Sequence, residues 1–158
     1  MSTSSPFHRL RVATGAWTLI LSAAATALLS AQEAGAGRVK VVSGTAVIVR
    51  QQKSIPAALG AVVFESDVLR TGADGRLGVT LKDDTRVSLG PQTEVRISRI
   101  TYAPVEGRMA LVLSVARGVV AYVSGQIARL SPDAVRVETP DAVIGVRGTR
   151  LAIRVAGR

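Results

Sequence analysis

RLGVTLKDDTRVSL, from Arg76 to Leu89, carries the pattern that decides the fold of this chain. Leu77, Val79 and Leu81 fall on one side of an alternation whose other side holds Arg76 and Thr80. After Lys82-Asp83-Asp84-Thr85 the alternation resumes, with Val87 and Leu89 set against Arg86 and Ser88. A period of two is that of a half-buried strand, because successive side chains point to opposite faces. The stretch therefore predicts two antiparallel strands joined by a polar turn, and Asp83-Asp84 reads as the solvated tip of that turn.

The same period extends outward in both directions. Val39-Lys40-Val41 and Thr45 to Arg50 precede it; Glu94 to Ser98, Val135 to Glu138 and Leu151 to Val155 follow. Met109 to Val115 and Val119 to Val123 are apolar on both faces and are expected to be central strands. Asp74-Gly75 has the composition of a hairpin turn, since glycine tolerates positive φ. Gly90-Pro91, Pro104 to Gly107 and Ser131-Pro132-Asp133 add further turns, and Ser124 to Leu130 has room for about one helical turn. Many short strands at regular spacing predict an all-β domain of mainly antiparallel strands, either a sandwich or a solenoid-like roll.

The first fifth of the chain reads differently. Arg9 and Arg11 precede an uncharged run from Val12 to Gln32, with a strongly apolar centre at Thr18 to Leu29. A basic start, an apolar centre and small residues after it form a secretory signal, with cleavage after Ala31 or Ala36. The rival reading is an uncleaved membrane anchor. Residues 1–36 are thus assigned to export and 37–158 to one β domain in the periplasm or cell envelope. The chain has no cysteine, so neither a lipid-attachment cysteine nor a disulfide framework is available. The formal charge of +9 becomes +7 without Arg9 and Arg11. The basic residues are scattered singly, as on the wet face of strands, and favour anionic partners rather than nucleic acid.

The only histidine, His8, lies in the export segment, so the remainder has neither histidine nor cysteine. That excludes Ser-His-Asp and Cys-His chemistry, and metal sites built on imidazole or thiolate. Asp83, Asp84 and Glu94 remain as carboxylates, but no calcium-loop pattern surrounds them. Only Phe64, Tyr102 and Tyr122 are aromatic beyond the export segment, which argues against sugar stacking and against single-stranded nucleic acid. No cofactor and no enzymatic activity are expected.

Thr139-Pro140-Asp141-Ala142-Val143-Ile144-Gly145-Val146-Arg147-Gly148-Thr149 stands out near the end of the chain. It lacks the lysine of a phosphate loop and the flanking helices of a nucleic-acid clamp. Thr139-Pro140 reads as a strand entrance, and Gly145 and Gly148 as places where side chains would clash at a bulge or tight crossing.

The ordered set Gly44-Thr45-Ala46-Val47, Leu69 to Leu77, Leu81 to Thr85, Gly90 to Val95, Gly118-Val119-Val120 and Thr139 to Thr149 resembles the FecR-type periplasmic domain. The resemblance implies a non-catalytic all-β module that passes a signal from an outer-membrane receptor to a regulator of a sigma factor. The chain departs from that architecture. Few residues precede the apolar run, too few for a sigma-binding domain, and only Ala156-Gly157-Arg158 follow Val155. The expectation is a free-standing exported module that contacts an envelope protein through Arg136, Arg147, Arg150 and Arg154, with Arg96 and Arg99 as further candidates. The alternative is electrostatic binding of an anionic envelope glycan or lipid headgroup. Oligomeric state and partner are left open by the sequence.

Overall fold

The computed structural model describes residues 35–147 and 150–157. Residues 1–34 of the stretch expected to be an export signal, together with Gly148 and Thr149 of the late motif, lie outside these residues. Alternation becomes strand wherever it was long enough to read: β1 (Gly37–Ser43), β2 (Ala46–Arg50), β6 (Arg76–Leu81), β7 (Arg86–Leu89), β8 (Glu94–Ala103), β10 (Val135–Glu138) and β12 (Arg150–Val155). Four short strands were not anticipated: β3 (Lys53–Pro56), β4 (Val62–Val63), β5 (Val68–Thr71) and β11 (Val143–Gly145). Met109 to Val115 and Val119 to Val123 form one strand, β9 (Arg108–Val123), rather than two. Its central position is as expected, but its outer face is covered only in part, with Ala116, Val119 and Ala121 exposed.

The twelve strands form one curled, mostly antiparallel sheet, a half-barrel. β9 divides it into two wings. Wing one runs β4-β1-β6-β7, the end of β9, and β12; wing two runs β3-β2-β5-β8, the start of β9, β10 and β11. The single parallel contact among these pairs is β10 on β9, with Val137 opposite Leu113. Parallel neighbours need a crossover. Here the helix α1 (Gln126–Leu130) and a tight turn at Pro132–Ala134 provide it.

Inward-facing Leu69, Leu77, Val79, Val95, Ile97, Leu111, Leu113 and Val120 fill the concave side and are each at most 2 % exposed. Burying a side chain of this size contributes about 1.5–3 kcal/mol, so this face supplies the main drive to fold.

Four of the chain's crossings between the wings lie along one line. β1 passes to β2 at Gly44-Thr45, β5 to β6 at Gly72 to Gly75, β7 to β8 at Gly90 to Thr93, and β9 crosses at Gly118. Asp74-Gly75 is therefore a corner and not a hairpin turn: β5 pairs with β2 and β8, whereas β6 pairs with β1 and β7. The corners are bonded to one another. Gly72 N–H donates to Thr45 O at 2.8 Å, and Gln92 N–H donates to Gly72 O at 2.9 Å. Thr71 Oγ1 donates to Gly90 O at 2.6 Å and accepts from Thr93 N–H at 2.9 Å. Thr93 Oγ1 accepts from Val119 N–H at 2.9 Å and donates to a carbonyl, with Val119 O at 3.2 Å and Pro91 O at 3.1 Å. Asp74 Oδ1 accepts from Thr45 N–H at 3.2 Å, and that bond holds the exposed Asp74 carboxyl below the ordinary aspartate range.

Candidate interaction surfaces

Four of the six landmark stretches named above are these corners. Leu81 to Thr85 also turns out to be structural, although not as a solvated turn. Asp84 is exposed, but Asp83 is fully buried. Its Oδ2 accepts from Thr85 Oγ1 at 2.7 Å and from Ile127 N–H at 3.3 Å, and its backbone carbonyl accepts from Gln126 N–H at 2.7 Å. The carboxylate thus satisfies donors at the start of α1 and fixes the crossover that brings β10 onto β9. Depth is what the sequence could not show. Tyr122 lies in the same cluster, 1 % exposed, with its phenol near Thr85, Ser124 and Asp83. Burial raises its pKa above the usual tyrosine value, the two hydroxyl neighbours opposing that rise, and its Oη lacks a hydrogen bond of good geometry among the described residues.

The sixth landmark, the late motif, is built differently. Thr139-Pro140 closes β10 instead of opening a strand, and forms the turn into β11. Thr139 N–H donates to Ala142 O at 2.8 Å, and Thr139 Oγ1 accepts from Ala142 N–H at 3.0 Å. The side-chain oxygen and backbone of one threonine thereby close a four-residue turn around a proline that donates nothing. Beyond it, Val143 is 67 % exposed, and a Cβ added at Gly145 would meet nothing within 4 Å. The expected tight crossing at Gly145 is absent, because β11 lies at an edge with open space beside it. Buried Val146, 3 % exposed, and half-buried Ile144 anchor the segment in the core. Among the described residues β11 pairs with β10 alone.

The arginines expected to act together are dispersed. Arg147 leaves the hairpin and meets Asp133 at 2.7 Å, both side chains being about four-fifths exposed. Arg136 lies on wing two, in register with Val112, whose other neighbour is Arg99. Arg96 borders a groove of about 310 Å³ between β8 and the Thr139-Pro140 turn. Beside that groove Ser98 and Ser114 hydroxyls meet at 2.7 Å, and Ser114 donates to Glu138 at 2.9 Å. Arg150 and Arg154 lie on β12, in wing one. There the structure adds arginines that the sequence did not single out as a group, Arg38, Arg76 and Arg86, all exposed. No cluster of three or more metal-ligating side chains occurs among the described residues, and no described helix is long and apolar enough to cross a membrane.

No curated protein and no solved structure gives a significant match to this chain. Residues 67–158, from the end of the β4–β5 loop onward, match the family described as FecR protein. β1 to β4 lie outside the matched stretch but complete the same sheet. With corners, crossover turn and late hairpin in the order the resemblance requires, the chain belongs to the FecR protein family.

Proposed function

We propose that the protein is an exported, non-catalytic module of the cell envelope that receives a protein partner at the β10–β11 hairpin. One observation carries this reading. The other landmarks are accounted for by buried bonds at corners and the crossover, whereas β11, the outer strand of the hairpin, is largely exposed, with only half-buried Ile144 packed against the core. Its free edge offers backbone donors and acceptors to an added strand, a common mode of peptide recognition. Val143 provides an apolar contact there, and the groove beside Arg96 and Pro140 can hold a neighbouring side chain.

Export sets where the mature chain begins. Ala36 is 1 % exposed; its N–H donates to Val63 O at 2.7 Å, and its carbonyl accepts from Lys82 N–H at 2.9 Å. Cleavage after Ala36 would remove both bonds, whereas cleavage after Ala31 leaves the domain whole. Mass spectrometry of the exported protein is expected to give Gln32 as the first residue. A product starting at Gly37 would reject this assignment.

Docking is tested with a photo-crosslinking amino acid at Val143 and, as a control of similar exposure, at Leu59 (75 % exposed) in the β3–β4 loop. In intact envelopes, position 143 is expected to yield one adduct of defined mass and position 59 none. Equal labelling from both positions, or none from position 143, would remove the hairpin as the docking surface.

A further inference from the structure

The strands of wing one contain no acidic residue. β1, β4, β6, β7, the end of β9 from Gly118, and β12 contribute Arg38, Lys40, Arg76, Arg86, Arg150 and Arg154, all exposed. Arg38 donates one long bond, 3.4 Å, to Gly60 O. The guanidinium groups of Arg76, Arg86, Arg150 and Arg154 make no hydrogen bond or ion pair within the described residues. Wing two is different. Arg50, Arg70, Arg108 and Arg117 each pair with a carboxylate, and Glu94 and Glu138 stand on its strands beside Arg96 and Arg136. The acids that border the strands of wing one in the chain, Asp74, Asp83 and Asp84, lie in turns at its margins; Asp74 is engaged by Thr45, and Asp83 is buried and engaged by Thr85.

Register arranges the cations. Arg150 is opposite Val123, Val123 opposite Arg86, Arg86 opposite Thr80, and Thr80 opposite Arg38. Three arginines therefore lie on one line across the sheet, on every second strand and about 10 Å apart. A second line carries Arg154, opposite Val119, and Arg76, opposite Ser43. Four residues along a strand separate the two lines, about 13 Å. Between them runs a row of small residues: Ala152 opposite Ala121, Ala121 opposite Ser88, and Ser88 opposite Gly78. Val41 closes the end of this row over Gly78.

We infer that this face binds an extended polyanion, with the chain lying in the small-residue trough and its carboxylates or phosphates reaching the arginines on either side. Unpaired guanidinium groups present flat, multiple donors that suit such anions. Large exposed apolar side chains on the face are limited to Val41 and Val119. No aromatic side chain is exposed there, which leaves nothing to insert into a bilayer or stack on neutral sugar. The inference concerns wing one alone, so it and the docking of a protein at the hairpin stand or fall separately.

The test uses the full chain, exported and purified, with a fluorescent linear polyuronate of about ten sugars as the probe, a length that spans the sheet. The reversal pair Arg86→Glu/Arg150→Glu is compared with Arg96→Glu/Arg136→Glu on wing two, which changes net charge equally. All four positions are exposed, and unchanged thermal melting establishes folding; if a reversal variant unfolds, the corresponding Gln pair replaces it. The wing-one pair is expected to weaken binding about tenfold and flatten its salt dependence, and the wing-two pair less than about threefold. Equal losses would reduce the effect to net charge and overturn the site. Failure of the unsubstituted protein to bind, or tighter binding to vesicles containing phosphatidylglycerol than to the polyuronate, would overturn the ligand class.

Discussion

Gly118→Ala is expected to destabilise the domain by about 4 kcal/mol, from an unfavourable backbone conformation and forced displacement of a neighbour. Gly118 has φ of +94°, a region that costs an L-residue about 1–2 kcal/mol. The larger part is steric. A Cβ would come within 2.5 Å of the Thr93 Cα and overlap its Oγ1, the atom that accepts from Val119 N–H and ties the β7–β8 corner to β9. Thr93 cannot retreat, because its own N–H is held by Thr71. Gly107 provides the control. Its φ of +64° is also positive, but a Cβ there would meet nothing within 4 Å. Gly107→Ala should cost only about 1 kcal/mol. Urea unfolding of both variants measures the contrast; equal costs would mean that backbone conformation, and not the packing of the crossing line, sets the penalty.

Asp67→Ala is the second large effect, expected at about 2–3 kcal/mol. Asp67 is 1 % exposed and accepts from Arg50 Nε at 2.9 Å, Arg50 Nη2 at 2.7 Å and Phe64 N–H at 2.8 Å. Arg50 also donates to Val62 O at 3.0 Å and lies 4.3 Å from the centroid of the Phe64 ring. Truncation takes the acceptor from the part-buried Phe64 N–H and the Asp67 carboxylate from the Arg50 guanidinium, a loss that for a fully buried pair costs about 3–5 kcal/mol. Arg50 is 34 % exposed, and water screens part of that loss. Glu94→Ala removes the partner of both Arg70 and Arg117, whose side chains are about half exposed, and should cost under about 1 kcal/mol. Thermal melts at low and high salt separate the cases: raising salt should erase the Glu94 effect and leave the Asp67 effect. If Asp67→Ala costs no more than Glu94→Ala, the buried bidentate pair is not what holds the β2–β5 region.

The strand period was legible wherever one face is buried and four or more residues alternate. It failed at β3, where Lys53 to Pro56 are all exposed and nothing alternates. It failed at β5, where adjacent Val68 and Leu69 are both buried. β9 reads as two strands because Ala116-Arg117-Gly118 interrupts its apolar run at the place where it changes wings. Polar residues misled for a different reason. Asp67 and Asp83 are among the most deeply buried side chains, and composition alone assigns such residues to solvent. Of the candidate site, alternation correctly put the arginines outward. It could not say that β12, β7 and β1 would bring Arg150, Arg86 and Arg38 onto one line, since that depends on which strands become neighbours.

β9 has hydrogen-bonded strands along both flanks, two from each wing: β8 and β10, then β7 and β12. Neither wing can come apart without stripping part of the strand that completes the other. The domain should therefore melt as one cooperative body, with no half-folded form for a protease or an aggregate to exploit. Ligands on opposite wings then act on a single folding equilibrium, and each adds to the lifetime of the whole rather than to its own half.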